Sequence, residues 1–508
     1  MLKKIPAAIH PFLAGIYPVL GLMVANISEV PLHYSLRPMA VILAVTLIII
    51  CVLYTVFRNL PLAANITTWI LLLFFTYGQV YAIFKATTIL GFFWARHRFL
   101  LPLWVVLFVL GVILLLRNKA SAAKTSIVLN VIFACLVGLN LLQIAYRVGE
   151  KAFYQSSFQD STSSEISLSP GQTPPDIYFI VLDAYGRSDI LQKEYAIDNS
   201  EFINSLRSQG FYVPSCNQSN YTRTLLSLSS TFNMDYVQSL SPEFDPMNSD
   251  TSWLLPYWQN NKVKELLTEM GYKTVVFHTT HETLIWNDAT LSYKAPLSGL
   301  SLSPFEGLLM ETTALRFLLD TYEASALPID GRPQNSTHRT DILYTLSQLP
   351  QTPAIPGPKL VFVHLIIPHP PFVLGANGEA IDIPYLRKNG NIYTPEDDRR
   401  GYTAGTLYIT KRIQEIIPQI IANSKTPPII VLEGDHGPGT SVLNLDAYYF
   451  PGQTQLLYDT ITPVNTFRVL FNTYFNGTYE LLPDRSFRPK SDQNYFDMQE
   501  VPTGCIAP

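Results

Sequence analysis

The chain has 508 residues, of which 48% are hydrophobic and 15% are charged, and its net charge is −4. A chain of this length ordinarily folds into more than one domain, each with its own hydrophobic core. The share of charged residues is low for a soluble protein. The net charge excludes the basic field of a typical nucleic-acid-binding protein, so we expect no nucleic-acid partner. Four cysteines are too few for a disulfide scaffold.

Most of the hydrophobic excess lies before residue 150, where five apolar runs are each about long enough to cross a bilayer as a helix. We therefore predict a membrane domain at residues 1–150 with five transmembrane helices. The runs are Ile9–Ala25, Met39–Phe57, Asn65–Phe84, Leu100–Leu116 and Ser126–Tyr146.

The basic residues of the connecting segments favour a cytoplasmic N-terminus. With that orientation the inside segments carry six basic residues and the outside loops carry four; the six are Lys3, Lys4, Arg58, Arg117, Lys119 and Lys124. An odd number of spans then places the rest of the chain outside the cytoplasm. We expect a multi-pass protein of the cell (inner) membrane with an extracytoplasmic domain.

The second half of the chain has the pattern of an α/β domain. Residues 151–175 are rich in Ser, Gln, Thr and Pro and are predicted to be a linker. Short apolar strands then alternate with helical segments, which favours a sheet covered by helices on both faces. We assign this domain to residues 176–475 and a C-terminal tail to residues 476–508. The clearest strands are Ile177–Leu182, Thr274–Phe277, Leu360–Ile366 and Ile429–Leu432, and the clearest helices are Lys262–Met270 and Thr410–Ala422.

Two strand ends carry acidic residues that suit a metal site. Asp183 directly follows a buried strand, where ligands bind in open α/β sheets, although a helix cap is the commoner role of such a residue. Asp435 and His436 stand between two glycines after the last strand, and the glycines let both side chains converge. A carboxylate beside an imidazole suits a divalent cation, while a polar turn closing the strand is the alternative.

Three further residues complete the candidate chemistry. Thr224 opens a helix, where a hydroxyl is usually a cap but becomes a nucleophile when a cation held by Asp183, Asp435 and His436 lowers its pKa. His369 stands in a proline-rich loop and can donate to an oxyanion or a leaving group; a solvated loop histidine is the alternative. His364 lies within the strand, where we expect a supporting role.

Weaker candidates stand beside these. Arg187 and Arg223 can clamp an anion, although solvated arginines are commoner. His278 and His281 have ligand-like spacing, but a histidine pair at a strand end is usually structural.

The four segments around Asp183, Thr224, His369 and Asp435, in this order, resemble the sulfatase and alkaline-phosphatase superfamily over about residues 176 to 470. Thr224 followed by Ser227 is similar to the nucleophile block of that superfamily. Pro368-His369-Pro370-Pro371 is similar to its substrate-contacting segment, and Asp435-His436-Gly437 is similar to its second metal-binding pair. The five apolar runs make the layout similar to the membrane-anchored branch that contains lipoteichoic acid synthases and lipid A phosphoethanolamine transferases.

The resemblance implies an alkaline-phosphatase-like domain with a mixed sheet. It implies Asp183, Thr224, Asp435 and His436 as metal ligands, Thr224 and His369 as catalytic residues, and His369, with His364 and Arg223, as substrate-binding residues. Zinc or manganese is favoured by the mixed ligands, with magnesium or calcium possible. The implied partners are a phospholipid donor and a cell-surface lipid or glycan acceptor. The sequence does not indicate the oligomeric state.

The function implied by this resemblance is transfer or hydrolysis of a phosphoglycerol- or phosphoethanolamine-type group through a phospho-threonine intermediate. One alternative is a sulfatase that uses Cys216 as formylglycine, although Cys216-Asn217-Gln218-Ser219-Asn220 lacks the Pro and Arg of the C-x-P-S-R motif. A second is an inactive binding protein of envelope assembly. For Cys216 and Cys505 we expect two unpaired thiols, with a disulfide between them as the alternative.

Overall fold

The computed structural model describes residues 8–27, 30, 32–86, 97–157, 166–242, 244–247, 249–296, 303–317, 333–381, 394–491 and 494–502. The chain divides into two compact units. Unit 1 comprises Met1–Phe153 and Leu297–Gln334, and unit 2 comprises Tyr154–Pro296 and Asn335–Pro508. The segment Leu297–Gln334, which lies within the domain predicted at residues 176–475, is part of unit 1, and the bounds given from the sequence stay a prediction.

Unit 1 contains five helices at the positions of the five apolar runs. They are α1 (His10–Ala25), α2 (Leu36–Phe57), α3 (Leu60–Ala86), α4 (His97–Arg117) and α5 (Ala122–Ser157). The last four are long and apolar enough to cross a membrane. Helix α1 has 16 residues, about 24 Å at a rise of 1.5 Å per residue, so its spanning the bilayer stays a prediction.

The outer surface of unit 1 is apolar, as it is in a protein surrounded by lipid. Ile48, Val56 and Leu142 are 62%, 66% and 68% exposed. Large apolar side chains rarely form such continuous exposed surfaces on soluble proteins. The surface therefore agrees with the membrane domain predicted from the apolar runs.

Residues Ser303–Phe317, here called the insert, pack within unit 1 although residues of unit 2 precede and follow this part of the sequence. The insert contains a helix, Pro304–Thr312, which begins with a capping box formed by Ser303 and Glu306. Phe305 is fully buried and Leu309 nearly so. The cluster that receives them contains residues of α1 and α3, namely Val19, Met23, Leu71 and Phe75.

Polar contacts and a close backbone approach hold the insert in place. Arg37 at the start of α2 pairs with Glu306 at 3.1 Å, and the Ala314 N–H donates to the Phe74 carbonyl of α3 at 2.8 Å. A Cβ at Gly78 would lie 2.3 Å from the Glu311 carbonyl oxygen, so α3 needs glycine there. The apolar side chains and these contacts explain why the segment leaves the α/β unit.

Unit 2 is built on a six-stranded mixed sheet with the order β3-β2-β4-β1-β5-β6. Its strands are β1 (Ile177–Leu182), β2 (Lys273–Phe277), β3 (Leu291–Tyr293), β4 (Lys359–Leu365), β5 (Ile429–Glu433) and β6 (Asp446–Tyr449). The pairs are parallel except that β6 runs antiparallel to β5. The mixed sheet and the four predicted strands are confirmed. Strands β3 and β6 contain no long apolar run, and for that reason they were not predicted from the sequence.

Helices cover both faces of this sheet. They are α6 (Ser200–Ser208), α7 (Thr224–Asn233), α8 (Lys262–Glu269), α9 (Pro333–Gln348), α10 (Pro395–Asn423) and α11 (Thr466–Tyr474). Alternate residues of β1 enter two different cores, because neighbouring strand residues point to opposite faces. Phe179 packs with Phe232 of α7 and Phe467 of α11, whereas Ile180 lies in the core that contains Ile413 of α10.

Short helices complete the elements. In unit 1 they are Leu32–Ser35 and Lys119–Ser121; in unit 2 they are Ser188–Ile190, Leu191–Tyr195, Val237–Leu240, Ser252–Leu254, Leu255–Gln259, Glu282–Leu284, Leu349–Ala354 and Pro463–Asn465.

The structure describes parts of the predicted linker and of the predicted tail. Helix α5 continues to Ser157, and Ile166 is buried in unit 2. The predicted tail contains the antiparallel strands β7 (Ser486–Ser491) and β8 (Asn494–Val501). Phe487 and Phe496 of this hairpin are buried. The sequence did not show these strands because polar and charged residues outnumber the apolar ones in them.

Candidate active site

The candidate site lies where three neighbouring parallel strands end. Strands β4, β1 and β5 are adjacent in the sheet, and ligands of open α/β sheets bind at the carboxyl ends of their strands. Asp183 follows β1 directly, Asp435 follows β5 after one glycine, and His369 follows β4 after Pro368. Distant parts of the sequence are thereby brought to one edge.

Asp183 is buried, and one of its two carboxylate oxygens has a hydrogen-bond partner within the described structure while the other has none. Its Oδ2 atom accepts a hydrogen bond from Nε2 of His364 at 2.9 Å, while its Oδ1 has no hydrogen-bond partner among the residues that the structure describes. Burial raises the pKa of Asp183, but the charge of His369 and the hydrogen bond from His364 outweigh it and hold the pKa well below its usual range. Asp183 is therefore a carboxylate at neutral pH.

Asp435 and His436 face the unsatisfied oxygen of Asp183. Nε2 of His436 lies 3.7 Å from Oδ1 of Asp183 and 3.5 Å from Oδ2 of Asp435. Within the described part of the chain, that Oδ2 also has no hydrogen-bond partner. Nδ1 of His436 donates to the Gly437 carbonyl at 2.7 Å, so Nε2 can present a lone pair. Two buried carboxylate oxygens and an imidazole nitrogen fit a divalent cation.

A ring nitrogen of His364 lies within 4.8 Å of ligand oxygens of Asp183 and Asp435, so His364 is an alternative nitrogen ligand. Its Nε2, however, is engaged with Oδ2 of Asp183, so a ligand role would fall to its Nδ1, which has no hydrogen-bond partner among the described residues. Because Nε2 of His436 lies 3.7 and 3.5 Å from the unsatisfied oxygens of Asp183 and Asp435, we take His436 as the ligand and His364 as the residue that orients Asp183. The side chain of His364 is only 2% exposed. The direct contact with substrate that was predicted for His364 is therefore disfavoured.

The backbone after β1 locks the two acidic loops together. Ala184 has a φ of 63°, a strained conformation for a residue with a side chain. Its N–H donates to Oδ1 of Asp435 at 3.0 Å, and its carbonyl accepts from the Tyr402 hydroxyl at 2.8 Å. The hydrogen bond from Ala184, the residue after Asp183, ties the loop after β1 to Asp435.

The predicted nucleophile stands on α7, which is attached to the second acidic loop. Thr224 is the first residue of this helix, and Ser227, one turn later, donates through its hydroxyl to the Asp435 carbonyl at 2.6 Å. Burial lowers the pKa of His436, but the charges of Asp435 and Asp183 outweigh it and raise this pKa above its usual value. The charge of Arg223, just before the helix, opposes that rise by a smaller amount. The residue before Thr224, Arg223, and the residue one turn after it, Ser227, thus both interact with the loop that contains Asp435 and His436.

His369 faces the same place from the β4 side. Its N–H donates to the Asp183 carbonyl at 3.1 Å, and its ring centroid lies 6.1 Å from that of His436. Nδ1 donates to the Pro370 carbonyl at 2.5 Å, which leaves Nε2 for substrate. His369 is half-buried, as a residue that meets a substrate must be.

Two residues that border the site were not among the main candidates predicted from the sequence. His281 has its ring centroid 6.5 Å from that of His364, so the histidine after β2 borders the site. Tyr495 of β8 stacks on Arg223. The ligand-like spacing of His278 and His281 was the only signal for the first, and nothing in the sequence indicated the second.

Two other sequence candidates have structural roles. Arg187 is buried and forms paired hydrogen bonds with Asp189 at 2.9 and 2.7 Å, so it is not presented to a substrate anion. Cys216 is disulfide-bonded, and the expectation of an unpaired thiol is wrong. Cys505 lies outside the described residues. A sulfur in a disulfide cannot be converted to formylglycine, so the structure argues against the sulfatase alternative.

Comparison with known families agrees with this arrangement. The profile of the Sulfatase family matches residues 175–469, more than half of the chain. The chain belongs to the sulfatase family. Asp183, Thr224, His369, Asp435 and His436 lie within the matched residues. The match confirms the predicted superfamily and an enzyme of that superfamily, and the group of buried ligand atoms suggests a divalent metal.

Solved structures similar to the chain are distant. The periplasmic domain of EcEptC from Escherichia coli is 12% identical, with a TM-score of 0.40 over 63% of this chain and 92% of that chain. Lipooligosaccharide phosphoethanolamine transferase A from Neisseria meningitidis is 12% identical, with a TM-score of 0.38 over 93% and 95%. Phosphonate monoester hydrolase of Agrobacterium radiobacter is 12% identical, with a TM-score of 0.37 over 62% and 80%. No curated protein sequence matches the chain.

Proposed function

We propose that this membrane-bound enzyme transfers or hydrolyses a phospho-substituent of phosphoglycerol or phosphoethanolamine type on a cell-envelope lipid or glycan. The observation that carries the proposal is the set of three buried ligand atoms around one point: Oδ1 of Asp183, Oδ2 of Asp435 and Nε2 of His436. A divalent cation there, zinc or manganese by ligand type, supplies positive charge that lowers the pKa of a nearby hydroxyl and stabilises an oxyanion.

The residues of the chain divide the reaction between them. The Oγ1 of Thr224, whose proton has passed to solvent, attacks phosphorus as an alkoxide, and the phosphorus–oxygen bond to the donor lipid breaks. His369 protonates the leaving oxygen through Nε2, and Arg223 pairs with the transferred group. The hydroxyl of the acceptor, or water, then attacks the phospho-threonine and gives its proton to His369, which restores Thr224. His364 keeps Asp183 in position throughout.

The contacts within unit 1 support an extracytoplasmic active site. The insert packs against the short helix Leu32–Ser35 before α2 and against the C-terminal half of α3. With a cytoplasmic N-terminus, both regions lie on the outer side, where the positive-inside rule also places the catalytic residues. An outward site beside lipid suits a phospholipid donor and a surface acceptor.

The test is a phospholipid turnover assay on the full-length protein with mass spectrometry of the peptide containing Thr224. We expect a phospho-substituent on Thr224 after incubation with donor lipid. The substitution Thr224→Ala should abolish turnover while metal content stays largely intact, and Thr224→Ser should retain part of the activity because it keeps a hydroxyl. Undiminished turnover by Thr224→Ala would end the proposal.

A further inference from the structure

The C-terminal hairpin of β7 and β8 packs against the segment that leads into the nucleophile helix. The Phe487 N–H donates to the Asn220 carbonyl at 2.8 Å, and the Asn220 side chain donates to the Arg485 carbonyl at 2.8 Å. The Phe487 ring stacks on Tyr221 with centroids 5.7 Å apart. The hairpin therefore fixes the backbone immediately before Arg223 and Thr224.

A second residue of the hairpin, Tyr495 of β8, contacts the side chain of Arg223 at the candidate site. The guanidinium carbon of Arg223 lies 4.6 Å from the centroid of the Tyr495 ring, well inside the range of a cation–π interaction. The neighbouring Phe496 is 1% exposed and packs edge-on against Phe244 at 5.9 Å. Because neighbouring strand residues point to opposite faces, the buried Phe496 turns Tyr495 toward Arg223.

Arg223 needs such support, because an arginine side chain loses considerable rotamer entropy when it is held in one place. Arg223 directly precedes Thr224, the first residue of α7. A guanidinium plane held flat against a ring directs its N–H groups sideways, where they can grip a tetrahedral anion at two oxygens.

We infer that Tyr495 is a positioning residue that holds the guanidinium of Arg223 against the tetrahedral anionic group received by Thr224. The inference rests on the proposed function for the identity of that group as a phosphate. It gives the C-terminal hairpin a part in the active site, although the hairpin lies beyond the residues that match the family profile.

The experiment measures binding of inorganic phosphate to the zinc-loaded, full-length protein by calorimetry, alongside turnover of the donor lipid. Tyr495→Phe keeps the ring and should leave the phosphate affinity unchanged. Tyr495→Leu keeps an apolar side chain of similar reach but has no ring face, and should weaken phosphate binding about 2- to 30-fold. Arg223→Gln should weaken it at least as much.

A double-mutant cycle separates positioning from plain packing. With Arg223→Gln already present, Tyr495→Leu should have no further effect on phosphate affinity, because the guanidinium that it orients is gone. An equal loss in both backgrounds would overturn the inference, as would wild-type affinity in Tyr495→Leu.

The chain offers a matched control in Tyr479, whose ring lies 5.4 Å from the Lys262 ammonium and 6.0 Å from the ring of Phe471 in the core. Tyr479→Leu removes a ring from a cation elsewhere and should leave phosphate affinity unchanged; a loss equal to that of Tyr495→Leu would contradict a specific role. Ring-dependent phosphate binding without turnover of any phospholipid would instead refute the proposed function and leave the positioning role standing.

Discussion

Gly434 controls how closely the two acidic loops approach, and adding one methyl group there should pull the site apart. A Cβ at this position would lie 2.3 Å from the carbonyl oxygen of Tyr185, where ordinary contact begins at 3.4 Å. The neighbour is backbone, so it cannot rotate away. The loops after β1 and β5 must therefore separate by about 1 Å, the difference between those two distances.

The expected effect of Gly434→Ala is larger on function than on stability. Overpacking of this kind costs about 1–3 kcal/mol, which thermal unfolding would show as a melting temperature lower by several degrees. A displacement of about 1 Å between Asp183 and Asp435 should lower turnover on the order of 100-fold and weaken metal binding. Chelator competition measures the metal affinity.

Gly439, in the same loop, provides the control. It has a φ of 62° and open space around its would-be Cβ, so Gly439→Ala introduces backbone strain of about 1 kcal/mol without a collision. We expect its metal affinity to equal that of the wild type. If Gly434→Ala bound metal and turned over lipid as the wild type does, the reasoning that the glycine sets the distance between the loops would be refuted.

Three further predictions concern other parts of the molecule. His364→Phe should weaken zinc affinity about 10- to 100-fold in chelator competition, because phenylalanine has no N–H and the Asp183 carboxylate loses the hydrogen bond that orients it; unchanged affinity would contradict that role. Phe305→Ala should destabilise the detergent-solubilised protein by about 3–5 kcal/mol in thermal unfolding, whereas Leu308→Ala, at a position 41% exposed on the same helix, should change little. Cys216→Ser should cost about 2–4 kcal/mol through loss of the disulfide, and intact-mass analysis of the wild type should show no formylglycine.

The sequence predicted the central strands and the ligand-bearing loops because those features are local. A buried parallel strand is a continuous apolar run, and the residue that follows it is the one placed at the sheet edge. Asp183, Asp435 and His436 could thus be found from their positions after β1 and β5, and the structure brings Nε2 of His436 to 3.7 Å from Asp183 and 3.5 Å from Asp435.

The features that the sequence did not reveal depend on contacts between distant residues. Tyr495 meets Arg223 across 272 positions, and nothing in the pattern of β8 marks that contact. The role of His364 was only partly predicted, since its hydrogen bond to Asp183 requires the pairing of β1 with β4. Cys216 stands in a polar loop, where spacing alone does not reveal a disulfide.

The insert has a practical consequence for producing the catalytic portion by itself. The chain passes from one unit to the other three times, at residues 153–154, 296–297 and 334–335. A fragment begun at the linker would still carry Phe305 and Leu309 but would lack the α1 and α3 side chains that cover them. Such a truncation should aggregate in water, and excising residues 297–334 in favour of a short flexible bridge should restore solubility.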